Sequence, residues 1–160
     1  MEQNNKPKAI VIHFHGYRGH GGTSGYYADV IAKNNPGVNI YAFDQLNFGQ
    51  SEGPCRGLAS TPLESAAQGE AFIDHLLQQF ETKPKIFLSG SSYGGAIIFK
   101  MAITKKERYN GLIFLGGALR EDKTSQFFMK KLGRFLGWIA PKYHLDVKLS
   151  SKDIAKYNCD

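Results

Sequence analysis

The feature that most constrains this chain is Gly90-Ser91-Ser92-Tyr93-Gly94, set directly after the apolar run Lys85 to Ser89 and directly before the helically spaced stretch Ser92 to Ile103. A chain that passes from strand to helix in so few residues needs small side chains at the turn. The middle residue is then forced into a strained backbone conformation, its hydroxyl exposed at the carboxyl edge of a sheet above a helix N-terminus. Ser92 is therefore the candidate nucleophile, and Ser91 lies off the centre of the motif. A glycine-rich turn that serves only close packing is the competing reading, and the strand-then-helix context argues against it.

The rest of the chain repeats the same alternation. Lys8 to Phe14 (KAIVIHF) and Val38 to Phe43 (VNIYAF) read as buried strands, separated by a helical Thr23 to Asn34 with Thr23 or Ser24 placed to cap it. Pro62 to Glu81 reads as a long helix with proline in its first turn, and Gly111 to Leu115 as a fourth strand. Strands alternating with helices imply right-handed crossovers and a mostly parallel sheet covered on both faces. Residues 1–119 form the core on this reading, and 120–160 the beginning of a cap, because no strand-like run follows Gly117. There Phe127, Phe128, Leu132, Phe135, Leu136 and Ile139 alternate with Lys130, Lys131 and Arg134 in an amphipathic basic helix, stopped by Pro141.

Charge follows this division. Residues 120–160 hold nine Lys or Arg against five Asp or Glu, and so supply most of the net charge of +6. A solvated basic face is the plain reading, and peripheral contact with an anionic membrane through the cap helix the sharper one. Nucleic acid binding has no motif behind it. Cys55 and Cys159 lack CxxC spacing or a companion histidine cluster, which indicates neither a metal site nor a disulfide framework. The polar start, Met1 to Lys8, and the lack of an apolar run of about 18 residues point to a cytoplasmic location. Gly19 to Gly25 followed by Asp44 imitates a dinucleotide fingerprint, but the spacing requires glycine where Ser24 stands.

Three motifs in order carry a family resemblance: HGYRGH at His15 to His20, FDQLNFGQSEG at Phe43 to Gly53, and GSSYGG at Gly90 to Gly95. Together they resemble the monoacylglycerol lipase and serine aminopeptidase branch of the α/β-hydrolases, a branch that includes lysophospholipases. Leu149 to Asp160 is similar to the end of that branch's cap. Gly19 replaces the usual Glu of the first loop, and Asn47-Phe48 replace Gly-His in the second. Added to the strand-helix alternation, the resemblance implies an α/β-hydrolase fold with strands in the order second, first, third, fourth, and an acyl-serine mechanism at Ser92. It implies an oxyanion hole from the backbone N–H groups of Tyr17 and Tyr93, with His15, Gly16, Gly90 and Gly94 shaping the loops. No cofactor or metal is implied. The substrate class is a small acyl ester of the monoacylglycerol or lysophospholipid type, favoured over a peptide by the apolar cap face.

In this family the acid and then the histidine come after later strands, and the chain ends before them. Asp122 and His144 follow Ser92 in the right order, but order is a far weaker requirement than hydrogen-bond reach. His20 reads as loop-shaping and His75 as a helix-surface residue. The expectation is a hydrolase truncated before its triad is complete and inactive by itself. The alternatives are a catalytically silent binding module and an amidase or peptidase of the same fold.

Overall fold

The computed structural model describes residues 6–116. Four parallel strands, β1 (Ala9–Phe14), β2 (Val38–Ala42), β3 (Lys85–Ser91) and β4 (Gly111–Leu115), form one sheet in the order β2-β1-β3-β4. Helices α1 (Gly25–Asn34), α2 (Pro62–Leu77) and α3 (Tyr93–Thr104) connect them. This is the partial parallel sheet flanked by helices of the α/β-hydrolase fold, in the expected strand order. The cap stretch, its helix around Phe127 to Ile139, Asp122, His144 and Cys159 lie outside the described residues.

Burial explains the order. All six residues of β1 are buried, as a β-branched run between two other strands should be. Ile10, Ile12 and Phe14 on one face join Ile86 and Leu88 of β3 in a single core with Ala66, Ile73 and Leu76 of α2 and Ile97, Ile98 and Met101 of α3. The start of α2 is fixed by a capping box, in which Thr61 accepts from the Glu64 N–H and Glu64 accepts from the Thr61 N–H, with Pro62 in the first turn. Beyond α3, Arg108 pairs with Glu70 and Asp74 of α2 at 2.5 Å each, and the half-buried Tyr109 donates its hydroxyl proton to Glu70.

The opposite face of the sheet, under α1, is partly polar. His13 is only 2% exposed, and it lies opposite Ser89 in the β1–β3 register. Its Nδ1 is 3.0 Å from Ser89 Oγ and its Nε2 3.4 Å from Ser91 Oγ. Tyr27 of α1 tilts over the ring at 5.4 Å and sets its own hydroxyl 3.0 Å from Ser89 Oγ. Burial, aided by nearby His15, pushes the His13 imidazole down to about 4.

Some local expectations are corrected. Neither Thr23 nor Ser24 caps α1 with its side chain: Gly21–Ser24 forms a 3-10 turn in which the Thr23 hydroxyl donates to the His20 carbonyl at 2.6 Å. The helical spacing of Tyr26, Tyr27, Val30 and Ile31 predicts an apolar face on α1, but Tyr26 and Val30 are exposed while Tyr27 turns inward to Ser89. Helix α2 ends at Leu77 rather than Glu81, since Gln78, Gln79 and Phe80 close three-residue turns onto His75, Leu76 and Leu77. Strand β2 is half-buried instead of buried, because it lies at the edge of the described sheet.

The depressed His13 pKa makes stability depend on pH. Above about pH 6.5 both folded and unfolded chains carry a neutral imidazole; below it the unfolded chain takes up a proton that the folded chain refuses until about pH 4. Stability should therefore fall as the pH drops through that window. Denaturant titrations from pH 7.5 to 4 should show a slope that the His13→Phe variant reduces by about one proton.

Candidate active site

The site begins where β3 ends. Ser91 is the strand's last residue, and Ser92 comes next with φ +46° and ψ −112°, a left-handed conformation that residues with a Cβ rarely adopt. Ser92 is exposed, whereas Gly94 and Gly95 one turn on are buried. The glycines are required by contact. A Cβ on Gly94 would lie 2.0 Å from the Phe14 carbonyl oxygen, and one on Gly90 2.4 Å from the Gly94 oxygen. The elbow is thus pressed against the end of β1. It is also tied to its neighbours: the Ser92 N–H donates to the Leu115 carbonyl of β4 at 3.3 Å, and the Tyr93 hydroxyl donates to the Ser60 carbonyl just before α2.

The loop after β1 meets the elbow from the other side. A Cβ on Gly16 would sit 3.3 Å from the Ser91 carbonyl oxygen and 3.4 Å from Ser92 Cβ. The chain then turns, with the Gly19 N–H donating to the Gly16 carbonyl at 3.0 Å and Arg18 at φ +61°. Tyr17 rides on this turn and is 58% exposed. Among the described residues, neither the Tyr17 nor the Tyr93 backbone N–H donates a hydrogen bond. His15 is buried and its tautomer is fixed by its partners. Nδ1 must donate to the Gly16 carbonyl at 2.8 Å, because a carbonyl only accepts, and Nε2 accepts from the Gln45 N–H at 3.1 Å. Both nitrogens are thus committed, and an Nε2 that accepts belongs to a neutral ring, the form that burial also favours by lowering the pKa.

A second loop, after β2, supports the first. Asp44 accepts from the Gly21 and Gln50 N–H groups at 2.6 Å each, and these bonds outweigh desolvation to hold its carboxyl below the usual range. Gln45 returns a side-chain bond to the His15 carbonyl at 2.8 Å. Phe48 is buried with its ring edge-on to both His15 and Tyr17, at 5.7 and 6.0 Å. Asn47 stands at φ +72°, which accounts for the family's glycine here and for asparagine as its substitute. Its side chain donates to the Leu58 carbonyl at 2.9 Å and accepts from the Cys55 N–H at 3.1 Å. The residues that imitate a dinucleotide fingerprint border a cavity of about 490 Å³ between His20–Gly22 and Gln50, yet both Asp44 oxygens there are engaged by backbone.

The structure brings the sequence-derived candidates Ser92, Gly16, Gly90 and Gly94 together, with Tyr17 on the adjoining turn and His15 buried beneath it. His13 and Gln45 were passed over in the sequence, although a histidine inside an otherwise apolar strand was a signal, and Phe48 was singled out only as a departure from the family pattern. His20 and His75 are exposed. Among the described residues, no histidine or carboxylate bonds to Ser92 Oγ, no group of His, Cys, Asp and Glu could hold a metal ion, and no helix is long and apolar enough to cross a membrane.

Residues 5–158 match the family described as serine aminopeptidase, S33. A proline iminopeptidase of Saccharolobus solfataricus is 27% identical over 86% of the chain and 41% of its own length. A putative monoglyceride lipase of Schizosaccharomyces pombe is also 27% identical, over 94% of the chain and 40% of its own length. The crystal structure of the Paleococcus ferrophilus monoacylglycerol lipase superposes with a TM-score of 0.66 at 28% identity, covering 94% of this chain and 58% of that one. The chain therefore spans about half the length of the proteins it matches. Since the family match takes in nearly every residue, the chain belongs to the serine aminopeptidase, S33, family, in the monoacylglycerol-lipase-like branch of the α/β-hydrolases.

Proposed function

We propose that the protein carrying this chain hydrolyses carboxylic esters through an acyl-serine at Ser92, with monoacylglycerol or lysophospholipid-like esters as the substrate class. One observation carries the reading: an exposed serine held at φ +46° on a strand-to-helix turn, beside two backbone N–H groups that donate to no described residue. Ser92 Oγ attacks the ester carbonyl as a histidine takes its proton; the oxyanion is stabilised by the Tyr17 and Tyr93 N–H groups. The histidine then protonates the departing alcohol, and water, deprotonated by the same base, releases the acid and restores the serine. His15 cannot be that base, since both of its nitrogens are occupied. We assign the base and its acid to sequence beyond the end of this chain, as the family resemblance implies.

A lipid ester is preferred over an amide because the apolar residues spaced through the sequence 127–139 suit an acyl chain, and the lysines and arginine among them suit an anionic membrane surface. The similarity to a proline iminopeptidase makes the amide the second reading. The two are separated by comparing a monoacylglycerol with a prolyl anilide.

The 160 residues alone should hydrolyse p-nitrophenyl butyrate no faster than their own Ser92→Ala variant. The chain extended through an acid and a histidine should be active, and Ser92→Ala should lower its kcat by roughly 10⁴- to 10⁶-fold. Activity of the short chain that is lost on His144→Ala would overturn the assignment of the base. Ser92→Gly should be equally inactive yet melt higher, because glycine relieves a backbone conformation costing about 1–3 kcal/mol for other residues. Tyr17→Pro, which removes the N–H, should cost roughly 10²- to 10³-fold in kcat. Tyr17→Ala, which keeps the N–H, should cost far less.

A further inference from the structure

Among the described residues, the chemistry above leaves the buried imidazole of His13 unused. His13 lies on β1, across the sheet from the nucleophile's strand, and touches two hydroxyls of that strand at once. Ser89 is its register partner, and Ser91 is the next residue on the same face. Neutral imidazole has one donor and one acceptor nitrogen, and a hydroxyl takes either role, so both contacts are satisfied in one tautomer: Nδ1 with Ser89 Oγ at 3.0 Å and Nε2 with Ser91 Oγ at 3.4 Å. Ser89 is fully buried and is held in turn by the Tyr27 hydroxyl. The chain of contacts Tyr27, Ser89, His13, Ser91 therefore runs from α1 through the sheet to the residue bonded to Ser92.

Its endpoint is mechanically sensitive. The Ser91–Ser92 link is where extended backbone becomes left-handed, so a small rotation at Ser91 swings Ser92 and the Tyr93 N–H together relative to the candidate donor on the Tyr17 turn. On the other face, Gly90 and Gly94 fix the elbow by backbone contact alone. On this face, the only described side chain bonded to the Ser91 hydroxyl is His13.

We propose that His13 is a positioning residue: by bridging Ser89 and Ser91 it sets the end of β3 from which Ser92 is presented. The inference rests on the reading of Ser92 as the nucleophile. His13 touches neither substrate nor reacting atoms. Its ring stays neutral through the working pH range, so its contribution is geometric and constant with pH.

The test is kinetic, in the extended, active chain. His13→Phe and Ser91→Ala should each lower kcat by about tenfold to a hundredfold with KM within about twofold, because a misplaced nucleophile slows attack without weakening binding. The double variant should be no slower than the slower single one, since both remove the same contact. His13→Gln, whose amide can both donate and accept, should recover most of kcat. Ile73→Val, which loosens the core on the opposite face, should lower the melting temperature with kcat per folded molecule intact. If His13→Phe fails to fold, Ser91→Ala and His13→Gln carry the comparison. Multiplicative losses in the double variant, or a kcat unchanged by Ser91→Ala while Ser92→Ala abolishes turnover, would overturn the positioning role and leave the nucleophile intact. Turnover that survives Ser92→Ala would instead overturn the nucleophile itself.

Discussion

The parallel pairing of β1 with β3 is the constraint on which the site depends. Six register pairs, Ala9 with Lys85 through Phe14 with Gly90, bring both strands to the same edge of the sheet at the same height. That shared height decides which loops meet. Beyond Phe14 comes the His15 loop; beyond Gly90 come Ser91 and the elbow, and the two loops have no room to part. The 2.0 Å approach that a Cβ on Gly94 would make to the Phe14 oxygen measures how tightly that pairing propagates into the turn. A one-residue slip in register would turn the core residues Ile10, Ile12 and Phe14 to the opposite face, so hydrophobic burial and site geometry are enforced by one alignment.

The fold was legible because its signals are local. Each strand is a β-branched or apolar run bounded by proline or glycine, and each crossover has helical spacing. Strand order followed from that alternation together with the family motifs. The elbow was legible for the same reason: two glycines flanking a serine between strand and helix leave few conformations. The position of Asn47 was legible only as a departure from the family pattern, and its φ of +72° supplies the physical reason.

What stayed hidden depends on pairs distant in sequence. His13 and Ser91 are 78 residues apart, and nothing local says that a strand histidine will find two hydroxyls on the neighbouring strand. Gln45 bonding His15, and Phe48 seated against His15 and Tyr17, are likewise long-range outcomes of where the sheet places its loops. The end of α2 was missed because Gln78 to Phe80 remain helix-compatible residue by residue; Pro84 ahead of β3 leaves room for only a few tightening turns.

The hydrogen bonding between the two loops has a corollary for substitution. Asp44, Gln45 and Asn47 hold the loops largely through main-chain N–H and C=O groups, so what they secure is a path of the backbone and not a set of neighbouring side chains. Exposed positions on that path, Tyr17 and Gln50 among them, can then change in size and polarity while the backbone trace beneath them is kept. A substitution at such a position alters the surface the loops present without altering the backbone path that runs beside Ser92.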